Sequence, residues 1–215
     1  MTEPLEYPYA AQEQAMEAVP VAPEPDEEPN GEPEPEEPEP LLRGPEQHAG
    51  AELEIPEGYG VLEGAPTGAR RGVAVVVARF NGEITTKLLV SALEELERTG
   101  VAREGITIVP VPGAFELPLA AMAFAKTRRY ACVVALGCVI RGETAHFEYV
   151  AGEAASGLQL AALETGVPVA FGVLTTDTVE QAEARVDKGA EAVRTALEMA
   201  DLFAQLRTAA GAAGK

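Results

Sequence analysis

Apolar and polar positions follow two rhythms between residues 72 and 206, and the rhythms alternate. "GVAVVVARF" (72–80) is an unbroken apolar run rich in Val, the pattern of a strand buried on both faces. "ITTKLLVSALEELERTG" (84–100) spaces its apolar residues by three and four and stops at Gly100, which predicts an amphipathic helix. "ITIVPVPG" (106–113) predicts a second strand with prolines at its exit. Residues 115–130 are helical after Pro118, which is tolerated in a first turn. "ACVVALGCVI" (131–140) predicts a third buried strand, and "TAHFEYVAGEAASGLQLAALET" (144–165) a helix stopped by Gly166 and Pro168. "VPVAFGVLT" (167–175) predicts a fourth strand. The apolar positions Val179, Ala182, Val186, Ala190, Val193, Leu197, Ala200 and Phe203 then step by three and four without a break. They predict one long helix over residues 178–206.

The order βαβαβαβα predicts an α/β fold. Its expected form is a three-layer sandwich, a four-stranded parallel sheet flanked by helices in a flavodoxin-like arrangement with right-handed crossovers. Ligands of such sheets bind beyond the carboxyl ends of the strands. The strand exits therefore mark the candidate site: Arg79-Phe80-Asn81, then Gly113-Ala114-Phe115-Glu116, then Arg141-Gly142-Glu143-Thr144 leading to His146, then Thr175-Thr176-Asp177.

Charge changes the picture only at the amino terminus. Residues 1–50 hold fourteen Asp/Glu against Arg43 alone, and eleven of the seventeen prolines. Such a segment has too little apolar surface to offset an ordering entropy of about 1–2 kcal/mol per residue. Residues 1–68 are therefore expected to form a disordered acidic Pro/Glu-rich tail, residues 69–207 the folded domain, and residues 208–215 a flexible C-terminal tail. The acidic tail reads as a solubilising segment or as one that recruits cargo. It lacks the basic and apolar regions of a targeting peptide. No apolar run reaches the roughly 18 residues of a membrane span, so no membrane partner is expected. The acidic balance also argues against nucleic acid, which needs a basic stripe. Cys132 and Cys138 would lie about 20 Å apart along one strand, too far for a disulfide. Free buried thiols fit a cytoplasmic protein.

The candidate chemistry is spread thinly. No P-loop, GxGxxG or GxSxG occurs, and His146-x-Glu148 lacks the P-C-x-x-C of a zinc deaminase. No metal ligand set accompanies His146. Gly142-Glu143-Thr144 opens a helix, where backbone N–H groups suit a phosphate, although Thr144 at that position also reads as a simple cap. His146 reads as structural or as a proton-transfer group. Phe80 reads as a loop aromatic or a stacking platform, and Glu116 as a dipole-compensating carboxylate or a ligand. What distinguishes these residues is their coincidence at one sheet edge.

Taken together, "ARFN", "PGAFELP", "GCVIRGETAHFEYV", "FGVLTTDT", "EQAEAR" and "KGAEAV…LEMA" resemble, in order and nearly in spacing, the 6,7-dimethyl-8-ribityllumazine synthase family. The resemblance covers about residues 72–206. It implies condensation of 5-amino-6-(ribitylamino)uracil with 3,4-dihydroxy-2-butanone 4-phosphate, without a cofactor, in riboflavin biosynthesis. It also implies residue roles. Phe80 stacks on the pyrimidine, beside Asn81. Main chain around Ala114, Phe115, Cys138, Val139 and Ile140 hydrogen-bonds the heterocycle, and Glu116 holds ribityl hydroxyls. Glu143 and Thr144 meet the phosphate, with Arg185 and Lys188 as cations. His146 transfers protons, and Phe171 enters from a neighbouring subunit. The implied assembly is a homo-oligomer, a pentamer or a sixty-subunit shell, with riboflavin synthase or other cargo as a further partner.

The sequence departs from the family between Arg185 and Lys188, where only Val186 and Asp187 intervene; about eight residues are usual. The unbroken periodicity suggests that two family helices have merged here. A riboflavin synthase that dismutates the lumazine and a catalytically weak, cargo-recruiting shell protein are the competing functions. "RGETAHFEYV" and Phe80 favour the condensing enzyme.

Overall fold

The computed structural model describes residues 53–213. The sequence reading of residues 1–52, and of residues 214–215, lies outside the described residues. The fold is α/β, with four strands and five helices among the described residues, in chain order β1 (Val73–Ala78), α1 (Gly82–Arg98), β2 (Ile106–Val111), α2 (Leu117–Lys126), β3 (Cys132–Ile140), α3 (His146–Thr165), β4 (Val169–Thr176), α4 (Val179–Glu183) and α5 (Lys188–Ala213). Short 3₁₀ turns at Arg103–Gly105 and Ala114–Glu116 lead into β2 and α2. The sheet order is β2-β1-β3-β4, and every pairing is parallel.

The two central strands explain their own composition. β1 is buried at all six positions, and β3 at all but its last. Both faces must therefore be apolar, which is why these strands show no alternation. Alternate residues divide between two cores. Val73, Val75, Val77, Val134 and Leu136 pack with Leu96 of α1 and Val193 and Leu197 of α5. Ala74, Val76, Val133 and Ala135 pack with Leu117 and Ala121 of α2 and Ala154 and Leu158 of α3. Pro110 sits in β2, an edge strand, where a missing N–H costs no central ladder bond. Gly166, at φ 63°, closes α3 in the left-handed conformation, its N–H donating to the Ala162 carbonyl.

One expectation is corrected. The long helix over residues 178–206 is two helices: α4 ends at Glu183, and residues 184–187 form a turn before α5. The turn is closed by tight bonds, Arg185 N to Ala182 O at 3.0 Å and Lys188 N to Arg185 O at 3.0 Å. Packing supplies the reason. Ala182 and Val186 enter the cluster of Ile84, Leu88, Cys138 and Leu174, while Gly189 lies directly on α1, where a Cβ would come 2.2 Å from the Leu88 carbonyl oxygen. The apolar spacing is kept through the turn, so periodicity alone did not reveal the break. At its far end α5 runs to Ala213. The Ala-rich stretch there has high helix propensity.

The segment before β1 is also partly built into the fold. Ala65 N donates to Asp201 Oδ2 at 3.1 Å, Gln205 Nε2 to Glu63 O at 2.9 Å, and Gly68 N to Thr99 O at 2.8 Å. Arg71 pairs with the same Asp201. Residues 63–71 thus lie across α5 and the end of α1.

The α1–α5 contact has no room at Gly189, because the facing atoms are backbone. Gly189→Ala is expected to destabilise the fold by about 1–3 kcal/mol, read as a lower urea midpoint with an unchanged m-value.

Candidate active site

The strand exits are tied to one another by main-chain bonds that outlast the strands. Arg79 N donates to Val111 O at 2.8 Å and Phe80 N to Pro112 O at 3.1 Å. On the other side Arg141 N donates to Thr176 O at 2.9 Å. Asn81 then turns the chain into α1 from the left-handed region, at φ 57°, a conformation Asn tolerates better than most residues. Its carboxamide Nδ2 donates to the Cys138 carbonyl at 2.9 Å. Asn81 therefore ties the exit of β1 to the end of β3, and Phe80 is held with its ring 70% exposed.

Beside that ring lies a cavity of about 520 Å³. It is bounded by Phe80, by the turn Gly113–Glu116, by the end of β3 (Cys138, Val139, Ile140), and by Gly142, Thr144 and His146. Most of its wall is hydrocarbon and aromatic, with a few polar groups at the rim, the usual build of a small-molecule site. Of the residues singled out in the sequence, Phe80, Ala114, Phe115, Glu116, Cys138, Val139, Ile140, Thr144 and His146 meet here. Asn81, Glu143, Phe171, Arg185 and Lys188 are not among its walls. Phe147, Tyr149 and Val150 are walls that sequence reasoning missed. The signal was available: they lie one, three and four residues after His146, on the first turns of the same helix.

Each polar group has a defined setting. Glu116 Oε2 accepts from Gly113 N at 2.9 Å, which fixes the carboxylate at the pocket wall and leaves Oε1 for a ligand. The N-cap of α3 is Ala145, and no side chain caps the helix. Thr144 Oγ1 reaches only His146 N, at 3.4 Å. The first-turn N–H groups of α3 thus stand beside the pocket with little internal competition, a setting suited to an anion. The Cys138 thiol packs with Ile84, Leu88, Leu174 and Ala182 on the far face of the sheet, so Cys138 offers the pocket main chain.

The remaining singled-out residues lie elsewhere. Phe171, 46% exposed, is on edge strand β4 opposite Ala135. It shares its sheet face with Val173, which packs against the α2–α3 core. Arg185 is exposed in the α4–α5 turn, its Nη1 donating to Gln181 O at 2.8 Å. Lys188 pairs with Glu191 one helical turn on. α4 itself is tethered to α1 by Lys87–Glu183 at 2.7 Å and is capped by Thr178, whose Oγ1 accepts from Gln181 N at 3.3 Å.

The family described as 6,7-dimethyl-8-ribityllumazine synthase matches residues 71–204. A protein of that name from Yersinia pestis (strain Pestoides F) is 52% identical over 153 residues, covering 68% of this chain and 98% of the relative. One from Yersinia pseudotuberculosis serotype O:1b (strain IP 31758) matches with the same identity and coverage.

Burial pushes the Cys138 thiol up to about 11 and the Cys132 thiol up to about 12, the latter against a small opposing pull from Arg71. Neither is a nucleophile near neutral pH. At pH 8 only about one Cys138 in a thousand is thiolate. The folded protein is expected to resist iodoacetamide at pH 8 and to take up two labels in urea. Raising the pH should expose Cys138 to labelling before Cys132. Rapid single labelling of the native protein at pH 8, read by intact mass, would contradict the buried-thiol assignment.

Proposed function

The chain belongs to the 6,7-dimethyl-8-ribityllumazine synthase family, and we propose that the pocket at the carboxyl edge of its sheet condenses 5-amino-6-(D-ribitylamino)uracil with 3,4-dihydroxy-2-butanone 4-phosphate. The product is 6,7-dimethyl-8-ribityllumazine, the pathway riboflavin biosynthesis, and the enzyme a transferase. The observation that carries the reading is the meeting of Phe80, Glu116, Thr144 and His146 around one cavity. These residues come from three separate strand exits.

The geometry supports a division of labour. The pyrimidine lies on the exposed face of Phe80, against main chain of Ala114, Phe115, Val139 and Ile140. The free oxygen of Glu116 accepts from ribityl hydroxyls. The phosphate sits at the Gly142–Thr144 turn, with the Glu143 backbone and the Thr144 hydroxyl donating, because uncapped helix N–H groups favour an anion there. The substrate amine attacks the ketone, and loss of water gives a Schiff base. Phosphate then leaves, and ring closure expels a second water. His146 relays protons in these steps; an imidazole is suited to both directions near neutral pH. Holding two reactive small molecules in register supplies much of the acceleration. The reading needs no cofactor.

Phe171 and Arg185 stand off the pocket of their own chain. In this proposal they complete the pocket of an adjacent copy, Phe171 closing over the pyrimidine and Arg185, with Lys188 nearby, facing the phosphate. The functional unit is then a ring, a pentamer or a sixty-subunit shell of pentamers. Among the described residues no helix is long and apolar enough to cross a membrane. Cytoplasmic residence, and recruitment of riboflavin synthase or other cargo by the acidic segment, complete the proposal.

Mixing the two substrates with the full-length protein should produce the lumazine's absorbance and fluorescence. His146→Ala is expected to lower kcat roughly 10²-fold, with smaller changes in either KM. An unchanged kcat would reduce His146 to a structural residue.

Sharing of the site is tested by co-assembly. His146→Ala and Phe171→Ala subunits, each weak alone, should regain about a quarter of wild-type activity when refolded together in equal amounts, because one pocket in four then draws both intact residues from two chains. Activity no higher than the mean of the two variants would place Phe171 outside the neighbour's pocket.

A further inference from the structure

Arg141 is the first residue after β3, and its side chain touches three residues on two other elements. Its Nε donates to Asp177 Oδ1 at 2.8 Å, at the exit of β4. Its Nη1 reaches Glu148 Oε1 at 3.4 Å, in the first turn of α3. Its Cζ stands 4.4 Å from the centre of the Phe147 ring, and Phe147 is a wall of the pocket. The guanidinium is a planar fork that can stack and hydrogen-bond simultaneously, which Lys cannot reproduce.

None of these contacts is a major contributor to stability. Arg141, Asp177 and Glu148 are all well exposed, and exposed ion pairs contribute little. Their placement is more informative. Between Arg141 and Glu148 the chain makes the Gly142–Thr144 turn and the start of α3, which carries no side-chain cap. A cap would occupy the same N–H groups that face the pocket. Arg141 holds that stretch from outside and leaves those groups open.

We propose that Arg141 is a positioning residue for the condensation: it fixes the phosphate-facing turn and His146 by clamping Asp177, Glu148 and the Phe147 ring, without itself touching substrate. The inference rests on the roles given above to the Gly142–Thr144 turn and His146. Its geometric content is that the guanidinium ties the exits of β3 and β4 to the first turn of α3.

The experiment assays full-length Arg141→Gln, Arg141→Lys, Asp177→Ala and His146→Ala proteins with both substrates, alongside thermal melts. Arg141→Gln is expected to lower kcat on the order of tenfold and to raise KM for the butanone phosphate more than KM for the pyrimidine, since misplacement of about an ångström is costly. Its melting temperature should stay near wild type. Arg141→Lys should recover part of the loss. Asp177→Ala, distant from substrate in this account, should shift the same two parameters in the same direction by a few-fold, and adding it to Arg141→Gln should cost less than the product of the two effects. Full activity of Arg141→Gln beside a crippled His146→Ala would overturn the positioning role and leave the site reading intact. A fully active His146→Ala would overturn the site reading and this inference with it. A large loss in Arg141→Gln with wild-type Asp177→Ala would make Arg141 a direct substrate contact instead. Should Arg141→Gln fail to fold, Asp177→Ala carries the test: wild-type kinetics there would overturn the clamp.

Discussion

The burial of β1 and β3 on both faces is the constraint from which the rest of the molecule follows. A polar group inside either strand would lose water without gaining a partner, at a cost of roughly 1–3 kcal/mol or more. The two central strands therefore carry only Val, Ala, Leu, Ile, Cys and a single Gly. Polar chemistry is displaced to the points where the strands leave the core, and in a parallel sheet with these crossovers those points lie along one edge. Phe80, Asn81, Arg141 and the turn to His146 all occupy such exits.

The two faces of the sheet carry different tasks. On one, α1 and α5 approach until backbone nearly meets backbone at Gly189, and Glu95 adds a link between α1 and α5 by accepting from Arg98 and pairing with Arg194. Those guanidinium groups hold the Glu95 carboxyl below its ordinary range, the Arg98 hydrogen bond being the largest cause. On the other face, α2 and α3 cover the sheet, and the pocket opens at its carboxyl edge between the turn that precedes α2 and the first turns of α3. Pro118 packs against Gly157 there, where a Cβ would come within 2.7 Å. The helices are thus held close just beyond the cavity. A rigid face and a face with an opening together allow small molecules to be held in register.

The site's electrostatics are quiet except at its rim. The thiol nearest the pocket is neutral and points away from it, and the charged groups nearby are organised in pairs that bridge elements, such as Arg141–Asp177 and Lys87–Glu183. Such pairs add little stability in water, but each connects parts of the chain that approach the site from different directions. The helix N-terminus at α3, left without a side-chain cap, adds positive potential beside the pocket.

The sequence by itself determined the element order, the parallel sheet with two covered faces, and the edge at which the chemistry gathers. These follow from periodicity and from the cost of burying polar groups, both local properties of the chain. Family resemblance likewise rested on short motifs, and nine of the singled-out residues meet in one cavity. Other features needed tertiary contacts. The break between α4 and α5 was invisible because the turn preserves the apolar spacing; Ala182 and Val186 on its two sides enter one cluster with Ile84, Leu88, Cys138 and Leu174. That Asn81 spends its carboxamide on the Cys138 carbonyl, and that Arg141 pairs with Asp177, depends on strands distant in sequence lying side by side. Phe171 and Arg185 show the same limit at the next level. Their motifs mark them as candidates, yet in one chain Phe171 lies on the edge strand opposite Ala135, short of the strand's exit, and Arg185 in a surface turn, neither among the walls of that chain's own pocket.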